Sequence, residues 1–218
     1  MVDYYPTQLN TYHMNHKELA SEETLEKVIA AFGPRNFKGM IVNTKEEAFA
    51  KLQTLIPAGA SIMNGSSRTL EQIGFVEYLK AGTHGWNNRH EEVLNETDPV
   101  RQGALRRETT VSDYYLGSAH AVTESGELFF ASNTGSQFPA LAFNAQNIIL
   151  VVGAQKIVPT LADTYIRLEE HILALEDVNM QQKYGVGTQH NKTLILRGEN
   201  PMFGRTITVI FVNEELGF

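Results

Sequence analysis

The chain has 218 residues, with 18 Lys and Arg against 25 Asp and Glu for a formal net charge of −7, and 42% of it is hydrophobic. A chain of this length buries roughly 70% of its unfolded surface, so one sizeable core is affordable and disorder is excluded. Acidity without a basic tract excludes any general attraction to phosphate backbones or anionic lipid, so no nucleic acid and no membrane is expected as a partner. The absence of cysteine removes disulfides, thiolate nucleophiles, Cys-bound zinc and any ordinary iron–sulfur cluster held by these residues alone. Neither a metal nor a cofactor is expected, and redox chemistry has to be carried by another molecule.

Residues 1–20 are polar and irregular, with Pro6 and the tyrosines Tyr4, Tyr5 and Tyr12. They read as an N-terminal arm that docks on a neighbouring copy in a homo-oligomer, ahead of a single α/β domain over 21–218. With neither a signal-like start nor a long apolar stretch, a cytoplasmic location is expected. His13 and His16 are three apart but lack a third ligand.

After Ser21, a good N-cap, Leu25, Val28, Ile29 and Phe32 repeat at helical spacing until Gly33-Pro34 stops them. An apolar run over 37–42 predicts a strand, and Thr44 with Glu47 predicts a capping box opening a helix through Ile56. A second strand over 60–63 leads through Asn64-Gly65-Ser66-Ser67 into one helix carrying Leu70, Ile73, Val76 and Leu79, with Gly82 as its cap. Repeated strand–helix units favour parallel strands with right-handed crossovers. Residues 83–97, around Trp86 with His84, Arg89 and His90, show no period and read as a long loop or lid; Asp98-Pro99 then opens a helix to about Thr109.

Strands are expected over 114–116, 121–123, 127–131 and 148–152, in a central sheet covered on both faces. Pro159 opens a helix through Leu161, Tyr165, Leu168, Ile172 and Leu175, with Asp163 and Arg167 pairing outward. Strands over 193–196 and 206–212 read as a closing pair.

Two segments carry candidate chemistry. The turn Asn64, Gly65, Ser66, Ser67, Arg68, Thr69 lies between a strand and a helix, where amides, hydroxyls and the positive helix end can hold an anion. The plain alternative is a turn in which Ser67 or Thr69 caps a helix. At the end of a buried-looking strand, Glu124 with Ser125 and Gly126 can act as a general base or hold substrate hydroxyls; the alternative is a link in which Glu124 faces water. Asn133 to Gln137 is a further polar turn, and no G-x-S-x-G elbow occurs.

Together, the run from Asn64 through Ile73-Gly74 and the run Ala121-Val122-Thr123-Glu124-Ser125-Gly126-Glu127-Leu128 resemble the LUD-domain family of lactate-utilisation proteins over roughly residues 40–212. That family has a glycine-serine-serine turn opening a helix with an Ile-Gly pair, then an A-x-x-E-T-G-T-L strand and turn. Ser125 stands where that motif has threonine and keeps a hydroxyl; Glu127 stands at the second threonine and adds a charge. The resemblance implies a three-layer, Rossmann-like fold of the NagB/RpiA/CoA-transferase-like superfamily, its mainly parallel sheet flanked by helices. It also implies a site built from Gly65, Ser66, Ser67 and Thr69 on one side and Glu124, Ser125 and Gly126 on the other. Some members are subunits of an iron–sulfur lactate oxidation system, so the cysteine-free chain is expected to be a cluster-free component that binds a small organic anion beside an iron–sulfur oxidoreductase subunit. A stand-alone isomerase or acyl-CoA-type enzyme using Arg68 or Lys156, and a non-enzymatic sensing or assembly module, are the competing expectations.

Overall fold

The computed structural model describes residues 15–218; Tyr4, Tyr5, Tyr12 and His13 lie outside them. Helix α1 (Glu22–Phe32) begins where the Ser21 hydroxyl accepts the Thr24 amide at 3.2 Å, and β1 (Phe37–Val42) follows. Helix α2 (Lys45–Leu55) is capped by the Thr44 hydroxyl, while the Glu47 carboxylate accepts from the Asn43 amide, one residue earlier than a capping box requires. Strand β2 (Ser61–Asn64) leads to α3 (Arg68–Gln72) and α4 (Phe75–Lys80). The single helix expected here is broken at Gly74, whose φ of +82° is left-handed.

Residues 83–97 are not a loop. They contain β3 (Asn87–Asn88) and α5 (Arg89–Asn95), followed by α6 (Pro99–Glu108). Trp86, whose indole donates to the Ile56 carbonyl at 3.2 Å and stacks on His84, anchors the segment in the core. Strands β4 (Tyr114–Gly117), β5 (Ala121–Thr123), β6 (Leu128–Ser132), β7 (Asn147–Gly153) and β8 (Ile157–Val158) come next. Helices α7 (Leu161–Arg167) and α8 (Leu173–Tyr184), joined by a π turn at Leu168–Ile172, precede β9 (Lys192–Leu196) and β10 (Thr206–Val212).

Six strands form an all-parallel sheet in the order β1-β10-β7-β4-β2-β3. The fold is α/β, as expected, and the buried β7 and β10 have the apolar runs of strands covered on both faces. Ile148, Leu150 and Val152 face one core with α1, while Ile149 and Val151 face the other with α2, α3 and α4. Beyond the first core stands a separate sheet, β8-β5-β6-β9, whose other side packs on Leu168 and Ile172.

This second sheet corrects three expectations. Strands β5 and β6 do not belong to the central sheet, and β9 and β10 are not a pair: β9 lies beside β6, and β10 between β1 and β7. Arg167 does not pair outward with Asp163, which instead closes a capping box with Thr160. It is fully buried, donating to the carbonyls of His16 at 2.7 Å and His120 at 3.3 Å. Among the described residues no helix is long and apolar enough to cross a membrane.

Candidate functional site

Neighbours β4 and β7 of the parallel sheet continue, after three residues each, into β5 and β8, which are neighbours in the second sheet. The chain therefore steps between the sheets twice, side by side. One step is Ser118, Ala119 and His120; the other is a single helical turn of Ala154, Gln155 and Lys156. Both lie at the carboxyl ends of parallel strands, beside the turn after β2. The connections from β2 and β4 leave in opposite directions, which is where ligands of open α/β sheets bind.

A cavity of 80 Å³ lies there, walled by Ser66, Ser67, Thr69, Ser118, His120, Lys156 and Gly217 among others. Lys156 is 3% exposed, and its ammonium donates to Thr69 Oγ1 and Ser118 Oγ, each at 3.2 Å. Its burial, reinforced by the Arg167 charge, brings its pKa down to about 7. His120 accepts the Ala131 amide on Nδ1 at 3.3 Å, so its proton is on Nε2. Burial, then Lys156, Arg167 and His190, lower its pKa to about 3, which keeps the ring neutral. Glu176 also lines the cavity; burial raises its pKa. Lys156 is thus a buried amine on the cavity wall that makes no ion pair among the described residues, which favours an anion beside it, and Arg167, on the carbonyls of His16 and His120 outside the cavity lining, adds a second positive charge nearby.

A second cavity, of 610 Å³, shares Ser66, Ser67, Tyr115 and Gln137 with the first. Its walls include Met63, Val76 and Leu79 together with Asn64, His90 and Arg106. Asn64 Oδ1 and His90 Nδ1 are both buried without a partner, and burial lowers the His90 pKa.

The expected site residues divide into two groups. Asn64, Gly65, Ser66, Ser67 and Thr69 line one or both cavities. Ser67 spends its hydroxyl on the Leu70 amide, the plain capping role, while Thr69 meets Lys156. With only five residues, α3 supplies no useful helix end, so the positive charge at the cavity wall comes from Lys156 instead. Gly65 tolerates no side chain without moving neighbours: an added Cβ would lie 3.1 Å from the Tyr115 hydroxyl.

Glu124, Ser125 and Gly126 line neither cavity. Glu124 pairs with the exposed Lys27 at 2.5 Å. The hydroxyls of Ser125 and Thr123 donate to the Glu127 carboxylate, which also pairs with Arg35 at 3.2 Å. Burial works to raise the Glu127 pKa, but these partners hold it below its ordinary value. The two motifs are thus not brought around one cleft. Ser118, Gly217 and the meeting of His120 with the buried Lys156 on one cavity wall are not legible in the sequence as a site. The available signal was position, because both polar triplets directly follow apolar parallel strands. Near His16, the ring stacks on His171 and approaches Glu170 at 3.4 Å; among the described residues no three His, Asp or Glu side chains are grouped to hold a metal.

The family model described as the LUD domain matches residues 25–193. A DUF162 family protein from Deinococcus radiodurans, solved by crystallography, is 14% identical and superposes with a TM-score of 0.51 over 90% of this chain and 100% of its own; at that identity the likeness concerns the fold. No curated protein matches the sequence.

Proposed function

The chain belongs to the LUD-domain family, and from that premise we propose that it serves the utilisation of lactate or a similar small 2-hydroxy acid by binding a small organic anion in the hollow around Lys156. The observation that carries this reading is the burial of Lys156 on the cavity wall with no carboxylate partner among the described residues. A carboxylate ligand supplies the missing charge, with the hydroxyls of Ser66, Ser118 and Thr69 around it. Without cysteine the chain has no ligand set for an iron–sulfur cluster. Oxidation of the bound acid therefore falls to a partner, an iron–sulfur oxidoreductase subunit, in the cytoplasm.

Calorimetric titration of lactate and pyruvate into the protein and into Lys156→Met tests the reading. Binding that is lost in the variant supports it, and equal affinity in both sinks it.

The 610 Å³ cavity favours a second reading, a stand-alone isomerase or acyl-CoA-type enzyme, because it exceeds what a three-carbon acid fills. The basic groups that reading requires, Lys156 and Arg68, line the adjoining 80 Å³ cavity, where Arg68 also pairs with Glu71 at 3.1 Å. Sugar phosphates and CoA belong in the same titrations. Tighter binding of either than of lactate, lost in Leu79→Trp inside the large cavity, selects this reading.

A further inference from the structure

We propose that Lys156 is a nucleophilic amine that captures a 2-oxo acid, the oxidised counterpart of a 2-hydroxy acid, as a covalent imine in the cavity between the two sheets. This rests on the anion-site reading above and gives the buried lysine a chemical role that binding alone does not need. Arginine would hold a carboxylate better, through two parallel hydrogen bonds and with a permanent charge. A lysine in this position offers what arginine lacks, a lone pair once it is deprotonated.

The surroundings suit a nitrogen that changes protonation state. Its protein partners are the hydroxyls of Thr69 and Ser118, which accept from an ammonium and equally donate to a free amine. Among the described residues no carboxylate pairs with it to pin it as a cation. Burial, with Arg167 as a second cation nearby, is the environment that activates lysine nucleophiles by lowering their basicity. At about 7, that basicity leaves a large share of free amine near neutral pH. His120, neutral and lining the same cavity, carries its proton on Nε2. Cavity size sets the class of substrate: 80 Å³ admits the reacting end of a small acid, and the adjoining cavity receives any longer tail.

The step balances without an oxidant or reductant. The amine lone pair of Lys156 forms a bond to the keto carbon as the carbonyl π pair moves onto oxygen, towards which the neutral His120 Nε2–H donates a hydrogen bond. One proton of the new C–N ammonium passes to that oxygen through the hydroxyl of Thr69 or Ser118, giving a carbinolamine. The second nitrogen proton follows by the same hydroxyls as the C–O bond breaks, so the oxygen leaves as water carrying both amine protons and a carbon–nitrogen double bond remains.

The experiment is to incubate the whole chain with pyruvate, and separately with 2-oxobutyrate, in the presence of sodium cyanoborohydride. Intact mass and peptide mapping then follow, alongside calorimetry of the same acids without reductant. The expected result is one reduced adduct, mapped to Lys156 in the wild type and absent from Lys156→Arg. Because the map is read on the wild-type chain, the result stands even if the variant fails to fold. His120→Leu, which removes the Nε2–H donor, is expected to form the adduct at least about tenfold more slowly while calorimetric affinity is retained. Binding without an adduct, or adducts spread over exposed lysines such as Lys38 and Lys80, overturns the imine and leaves the anion site standing. Neither binding nor adduct overturns both.

Discussion

Gly217 closes the small cavity at a point where no side chain fits. Its φ is +71°, and an added Cβ would lie 2.6 Å from Lys156 Nζ and closer still to Thr69 Oγ1. Its amide donates to Gln72 Oε1 at 2.5 Å, and the preceding carbonyl, of Leu216, accepts from Gln155 at 2.9 Å. Gly217→Ala is therefore expected to pull the buried Leu216 out with the backbone and to cost about 1–3 kcal/mol, read as a lower urea midpoint. Glu124 is the opposite case. Its partner Lys27 is exposed, so Glu124→Ala is expected to cost less than about 1 kcal/mol and to leave anion affinity in calorimetry unchanged; a large loss of affinity would return Glu124 to the site. At this scale the sequence is legible where a residue's task is local. Ser21, Ser67 and Asp98 cap the helices they precede, because a cap depends on residues two or three positions away. The partners of Lys156, Thr69 and Ser118, are 87 and 38 residues distant, and no local pattern encodes such a meeting.

Elements show the same boundary between local and distant information. Helical ends and apolar runs marked α1, α2, α6, β1 and β7 within a residue or two, since cap chemistry and periodicity act within one turn or one pleat. The assignment of strands to two sheets was not legible, because a strand buried in either sheet needs the same apolar residues. Residues 83–97 looked like a loop because α5 is short and only Val93 of it is buried, leaving too few apolar positions to show a period. Gly74 falls between these cases, since its place between Ile73 and Phe75 continues the apolar spacing while its φ of +82° ends α3. Nothing lies within 4 Å of a Cβ added there. Gly74→Ala is thus expected to cost only the left-handed conformation, about 1 kcal/mol, with no change in calorimetric affinity. A cost of several kcal/mol in urea unfolding would mean that the break is held by packing rather than by the glycine itself.

Across the whole molecule, three bases, the buried Lys156 and the partly buried His120 and His171, make stability depend on pH with one sign. His120 and His171 have pKa values lowered to about 3 and about 4, and Lys156 to about 7. Burial is the first cause in each case. Arg167 acts on all three, Lys156 and His190 also act on His120, and His16 and Lys17 act on His171 against the opposing Glu215. Unfolding returns each group to its ordinary value, so the unfolded chain binds protons that the folded chain refuses, and stability rises with pH wherever that holds. For the imidazoles the window runs from their folded values up to about 6.5: their contribution is complete above it and lost on acidification. For Lys156 the window runs from about 7 to about 10.5, and its contribution is complete only at the alkaline end. The carboxylates of Glu71, Glu127 and Asp113, held below their ordinary values by their partners, act in the same direction but only below about pH 4.5. Urea midpoints at about pH 5, 7 and 9.5 therefore separate the groups. The wild type is expected to gain stability over both intervals, by an amount on the order of 3 kcal/mol for Lys156. Lys156→Met should flatten the upper interval and His120→Gln should reduce the lower one. A wild-type midpoint that is level from about pH 7 to 9.5 would mean that the amine stays charged in the folded state, which removes the free base that imine formation needs while leaving the cation available to hold an anion.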